Sequence, residues 1–152
     1  MNSSLKRHSN WFLIGILTIS ALITLSFKAQ TAALQSKLMR EYKGVRLGMK
    51  PEEVQAALGK PETRTDSSEE FKIGGDDTLT VYYEGGTVKT ISLLFTEAKN
   101  APAWTEVVGN AEVKEQPNGA KVARVENAEE KFWVSMYQNK SGTMTTITIS
   151  RS

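Results

Sequence analysis

Hydrophobic and polar positions follow two rhythms along this chain, one helical and one alternating. From Leu47 to Pro61 the rhythm is helical, with Val54, Ala57 and Leu58 at spacings that share one face. Pro51 suits the first helical position because its fixed φ is already helical and its missing N–H would have had no partner. Glu52 and Glu53 set negative charge against the positive end of the helix. Gly59 offers a left-handed stop, and Pro61 prevents resumption. A second helical stretch is expected over residues 31–43, where Leu34, Leu38 and Tyr42 recur every fourth residue and Gly44 ends it.

After Pro61 the period shortens to two. Leu79, Val81 and Tyr83 fall on one side of Thr78–Tyr83, and Ile91, Leu93 and Phe95 on one side of Thr87–Phe95. Glu84-Gly85-Gly86 joins the two as a tight turn, so the unit is a β-hairpin, with a short strand at Glu70–Ile73 ahead of it. The plan recurs. Trp104–Gly109 echoes Val54–Gly59 at an offset of 50, and Lys131–Tyr137 echoes the Thr78 strand. Thr143–Ser150 parallels Val88–Phe95, with Ile147 matching Ile91 at an offset of 56. In this reading the second helix shrinks to about one turn, and a hairpin around Pro117-Asn118-Gly119 is an insertion.

Trp11 to Phe27 has neither rhythm: 17 residues pass without a charge. That length is at the lower limit for a spanning helix, and Lys6 and Arg7 just before it favour a cytoplasmic N-terminus. An uncleaved signal anchor is preferred to a cleaved signal peptide, because the approach to the small residues Thr31 and Ala33 is broken by Phe27-Lys28. The expected organisation is a cytoplasmic N-terminus (1–10), a transmembrane anchor or signal peptide (11–27) and a helical linker (28–43). An extracytoplasmic α+β domain (44–152) follows, with a degenerate repeat in 44–96 and 101–152. It is membrane-anchored on the periplasmic side of the inner membrane, or secreted if the signal is cleaved. Its helices pack on an antiparallel sheet, one side of which is rich in Thr and Ser and meets water.

Charge narrows the partners. Lys6, Arg7, Lys28, Lys37, Arg40 and Lys43 face only Glu41 in residues 1–43, which leaves 13 Lys/Arg against 16 Asp/Glu in residues 44–152. The basic excess therefore belongs to the N-terminal segment, and a mildly acidic domain is not a nucleic-acid binder. The chain has no cysteine, and its one histidine, His8, precedes the apolar run. Disulfides, thiolate metal sites and histidine-based catalysis are thereby removed. The acidic pairs Glu52-Glu53, Glu69-Glu70, Asp76-Asp77 and Glu129-Glu130 are poor catalytic candidates. Glycosidase carboxylates face each other across about 5–10 Å, whereas neighbours on a strand face opposite ways. Asp66, Glu69, Glu70, Asp76 and Asp77 lack EF-hand spacing, so no metal and no cofactor is expected.

The aromatics are the better functional candidates. If Leu79, Val81, Tyr83, Phe132, Val134 and Met136 form the core, then Tyr82, Trp133 and Tyr137 lie together on the other face, a composition typical of protein contacts. Trp104 is expected to anchor the second short helix.

The pattern Leu47-Gly48-Met49-x-x-x-Glu53-Val54-x-x-x-Leu58-Gly59-x-Pro61, followed by Val81-Tyr82-Tyr83, Gly85-Gly86 and Val88–Phe95, resembles the SmpA/OmlA (BamE-like) outer-membrane assembly lipoprotein family over residues 44–96. The resemblance implies a pair of helices on a small antiparallel sheet, and the doubled plan is similar to the tandem β-lactamase-inhibitor-like proteins. The chain departs from the family in three ways: it has no lipidated cysteine, Lys50 replaces the usual Ser or Thr cap, and residues 101–152 extend past the family domain. The functional expectation is a non-catalytic membrane-anchored envelope domain that binds or scaffolds another cell-envelope protein. The alternatives are an inhibitor-like protein blocking an enzyme through its sheet face, and an enzyme using surface carboxylates.

Overall fold

The computed structural model describes residues 38–152. The apolar run 11–27 and residues 31–37 of the expected linker helix lie outside them. No helix among the described residues is long and apolar enough to cross a membrane.

The alternating stretches build one antiparallel sheet of eight strands. In chain order the elements are β1 (Glu41–Tyr42), β2 (Val45–Arg46), α1 (Pro51–Leu58), β3 (Thr63–Arg64), β4 (Ser68–Gly74), β5 (Asp77–Glu84) and β6 (Thr87–Phe95). A 3₁₀ turn at Ala98–Asn100 leads to α2 (Trp104–Val107), β7 (Lys114–Glu115), β8 (Lys121–Asn127), β9 (Phe132–Gln138) and β10 (Thr145–Arg151). The sheet order is β3-β4-β5-β6-β10-β9-β8-β7, with β1 and β2 pairing separately. Sheet dominates this α+β fold, and among the described residues α-helix is confined to eight residues in α1 and four in α2.

Period two decides what the sheet buries. Phe71, Leu79, Val81, Ile91, Leu93, Val134, Ile147 and Ile149 project from one face into a single core. The core is closed by Leu38, Val45, Val54, Val107 and Val108 from the segments laid across that face. Trp104 packs against the same core, as expected.

Four sequence expectations are revised. Residues 38–42 are extended, not helical: Met39 N–H donates to the Val107 carbonyl at 2.9 Å, and Glu41 and Tyr42 pair with Arg46 and Val45. Lys43 and Gly44, at φ +48° and +80°, form the turn. Period four puts Tyr42 on a helix, but its ring meets Phe95 edge-on, at 6.0 Å between centroids, from a strand. The short strand expected at Glu70–Ile73 runs from Ser68 to Gly74. The hairpin around Pro117-Asn118-Gly119 is no insertion, since β7–β8 holds the place beside β9 that β3–β4 holds beside β5.

Last, the two helices correspond at an offset of 53, not 50. In each, an N-cap without a side-chain acceptor (Lys50, Ala103) is served by a glutamate three residues on. Lys50 N–H donates to Glu53 Oε2 at 2.7 Å and Ala103 N–H to Glu106 Oε2 at 2.8 Å. The next residue, Val54 or Val107, is fully buried. Glu53→Ala and Glu106→Ala are each expected to lose about 0.5–1 kcal/mol in urea unfolding, and Glu53→Gln, which keeps the acceptor, to recover most of it.

The sheet centre obeys the other offset. Shifting by 56 carries Ser92 onto Thr148, and these two residues are directly opposed in the β6–β10 pairing. A local two-fold axis through the sheet would demand that placement.

Candidate protein-binding face

With the core on one side, every second residue of β4–β6 and β8–β10 points away from it, and no described helix packs there. Cross-strand register sorts these residues into rows. One row runs Ser68, Tyr82, Thr90, Ser150, Trp133, Glu126 across six strands. The next runs Glu70, Thr80, Ser92, Thr148, Ser135, Arg124, and the third Lys72, Thr78, Leu94, Thr146, Tyr137, Val122.

The expected candidates are thus brought to one face. Tyr82, 47% exposed, and Trp133, half-buried, share a row with two strands between them, about 14 Å apart at ordinary strand spacing. Tyr137 is on the same strand as Trp133, four residues along and two rows away. Between Tyr82 and Trp133 the Thr90 and Ser150 hydroxyls are 2.8 Å apart, and Ser150 is almost fully covered. The middle row is a line of four hydroxyls, Thr80, Ser92, Thr148 and Ser135.

Two features were not anticipated from sequence. The Arg124 guanidinium lies 4.0 Å from the centroid of the Trp133 ring, which holds the indole flat against a cation. A hollow of about 570 Å³ opens beside Tyr137, lined by Gln116, Pro117, Asn118 and Val122. Alternation within β8 puts Arg124 on this face, but its stacking on Trp133 depends on the β8–β9 register, which no local signal announces.

Several members of the acidic pairs have separate structural tasks. Glu53 caps α1. Glu69 is buried on the core side, accepting from Gln55 Nε2 at 2.6 Å and the Tyr83 hydroxyl at 2.7 Å, with Arg64 Nε at 3.4 Å. Its neighbour Glu70 faces the other way, near Thr80. Burial, then the bond to Glu69, pushes the Tyr83 phenol above its ordinary value of 10.0, so it stays a donor. Asp77 is buried and accepts from the Thr96 amide at 2.8 Å, the Thr96 hydroxyl at 3.0 Å and Asn100 Nδ2 at 3.0 Å. Burial works to raise its carboxyl, and the three hydrogen bonds outweigh it, holding the group below its ordinary 3.8. Glu130 pairs with Arg40 at 2.8 Å. Among the described residues no three His, Cys, Asp or Glu side chains are grouped to hold a metal ion.

The chain matches no family model, no curated protein and no solved structure.

Proposed function

We propose that this chain is a non-catalytic, membrane-anchored envelope domain that binds or scaffolds another cell-envelope protein through its open sheet face. The anchor in this reading is the uncharged run 11–27, with the domain on the periplasmic side. If the signal is cleaved, the same domain is secreted. The observation that carries the proposal is the row Tyr82, Thr90, Ser150, Trp133: two amphipathic rings flanking paired hydroxyls on a face that no described helix covers. Rings supply contact area at low conformational cost, and the hydroxyl rows supply donors and acceptors that a partner's backbone or side chains complete.

We also read the domain as two copies of one unit, each a capped helix followed by four antiparallel strands, in keeping with the BamE-like resemblance of its first half. The lipidated cysteine of that family is missing, so this reading does not extend to barrel assembly.

The test is site-directed crosslinking in intact cells. A photoreactive residue at position 80, in the hydroxyl row, should trap one discrete envelope protein. Tyr82→Ala combined with Trp133→Ala should cut that yield at least about tenfold with no change in melting temperature. Undiminished trapping by the double variant sinks the proposal.

A further inference from the structure

A cavity of about 530 Å³ opens at the β8–β9 turn. Four cationic side chains line it, Arg40, Arg46, Lys131 and Arg151, against the one acid Glu130. Arg40 is matched to Glu130 at 2.8 Å and also stacks near the Phe132 ring, at 5.9 Å from its centroid. The other three cations form no ion pair among the described residues, so the wall retains three positive charges once that pair is discounted. The floor is apolar: Phe132 is 5% exposed and Leu47 half-buried.

Two backbone features accompany these cations. Gly48 has φ +88°, and a methyl group added there would come within 2.7 Å of an Arg151 guanidinium nitrogen. The glycine of the Leu47-Gly48-Met49 motif therefore makes room for the Arg151 head group. Lys131 occupies the left-handed region at φ +54°, where glycine would be comfortable, and Ser152 N–H holds its carbonyl at 3.0 Å. A lysine in a glycine's conformation costs some stability.

We propose that this cavity binds a phosphomonoester carrying an apolar group. A dianionic phosphoryl head offers three acceptor oxygens to two guanidinium forks and an ammonium. The volume is that of a small-molecule site, and the apolar floor receives the body of the ligand. The phosphoryl group comes either from a soluble ester or from a lipid headgroup. This inference does not depend on the sheet-face reading, because the two sites share no residue.

The test uses the full chain in phosphatidylcholine nanodiscs, titrated calorimetrically with phenyl phosphate. Saturable one-site binding is expected, tighter than for inorganic phosphate and absent for phenol. Arg151→Gln should weaken it at least about tenfold and Glu130→Gln should tighten it severalfold. Lys131→Gly should weaken it while leaving the melting temperature equal or higher, which separates ligand contact from folding. When phosphatidic acid is added to the nanodisc, lower apparent affinity for phenyl phosphate identifies the lipid headgroup as the source, and unchanged affinity identifies a soluble ester. A flat titration, equal affinity for inorganic phosphate, or Arg151→Gln and Glu130→Gln both binding like the wild type overturns the proposal.

Discussion

Ile149→Ala is expected to destabilise the domain by about 3 kcal/mol, from the lost burial of the side chain and the cavity left behind. Ile149 is fully buried and sits opposite Ile91 on the two central strands, where neighbours on either side limit collapse of the void. Against a total stability on the order of 5–15 kcal/mol, that loss is a large fraction. Thr148→Ala, one residue away on the open face, should change stability by less than about 1 kcal/mol. Urea unfolding measures both, as a lower midpoint at unchanged slope for Ile149→Ala. Similar losses for the two variants would mean that the core is on the wrong side of the sheet.

Asp77→Ala is expected to cost about 2 kcal/mol at neutral pH, because the Thr96 amide and the Asn100 side chain lose a charged acceptor. The pH dependence has a fixed sign. The folded carboxyl is held below its ordinary 3.8, so its contribution is fully present above that value and is lost as pH falls through the lowered folded value. The wild-type advantage over Asp77→Ala should therefore be flat from neutrality to about pH 5 and shrink at lower pH. Thermal melts of the two proteins from pH 7 to 2 test this, and a gap that widens on acidification contradicts the assigned hydrogen bonds.

Much of this architecture is written in local pattern. Period two in β5, β6, β9 and β10 sets both the strands and their faces, and it is enough to put Tyr82, Trp133 and Tyr137 on one side. Gly85 and Gly86, both at positive φ, dictate a two-residue turn that any hairpin rule recognises. The failures arise where tertiary contacts override local periodicity. Leu38 and Tyr42 are spaced like a helix, yet each is held by a distant partner: Leu38 bridges to Val108, and Tyr42 meets Phe95. The β7–β8 hairpin looked like an insertion because β3 and β7 are only two residues long and carry no periodic signal. The cationic cavity was invisible for a different reason. Its charges come from positions 40, 46, 131 and 151, which only the folded chain assembles.

The seam between β6 and β10 bears on how the chain folds. Every other pairing in the eight-stranded sheet joins strands adjacent in sequence, whereas this one links residues such as Thr90 and Ser150, 60 positions apart. Loop-closure entropy makes it the slow step, after two meanders have formed from local contacts. Until it closes, each meander presents a long, open inner edge whose natural complement is carried by every other copy of the chain. At high concentration the β6 of one molecule can zip onto the β10 of another, with residues 96–103 as the hinge. Domain-swapped dimers, not disordered aggregates, are the misfolding product that this topology favours.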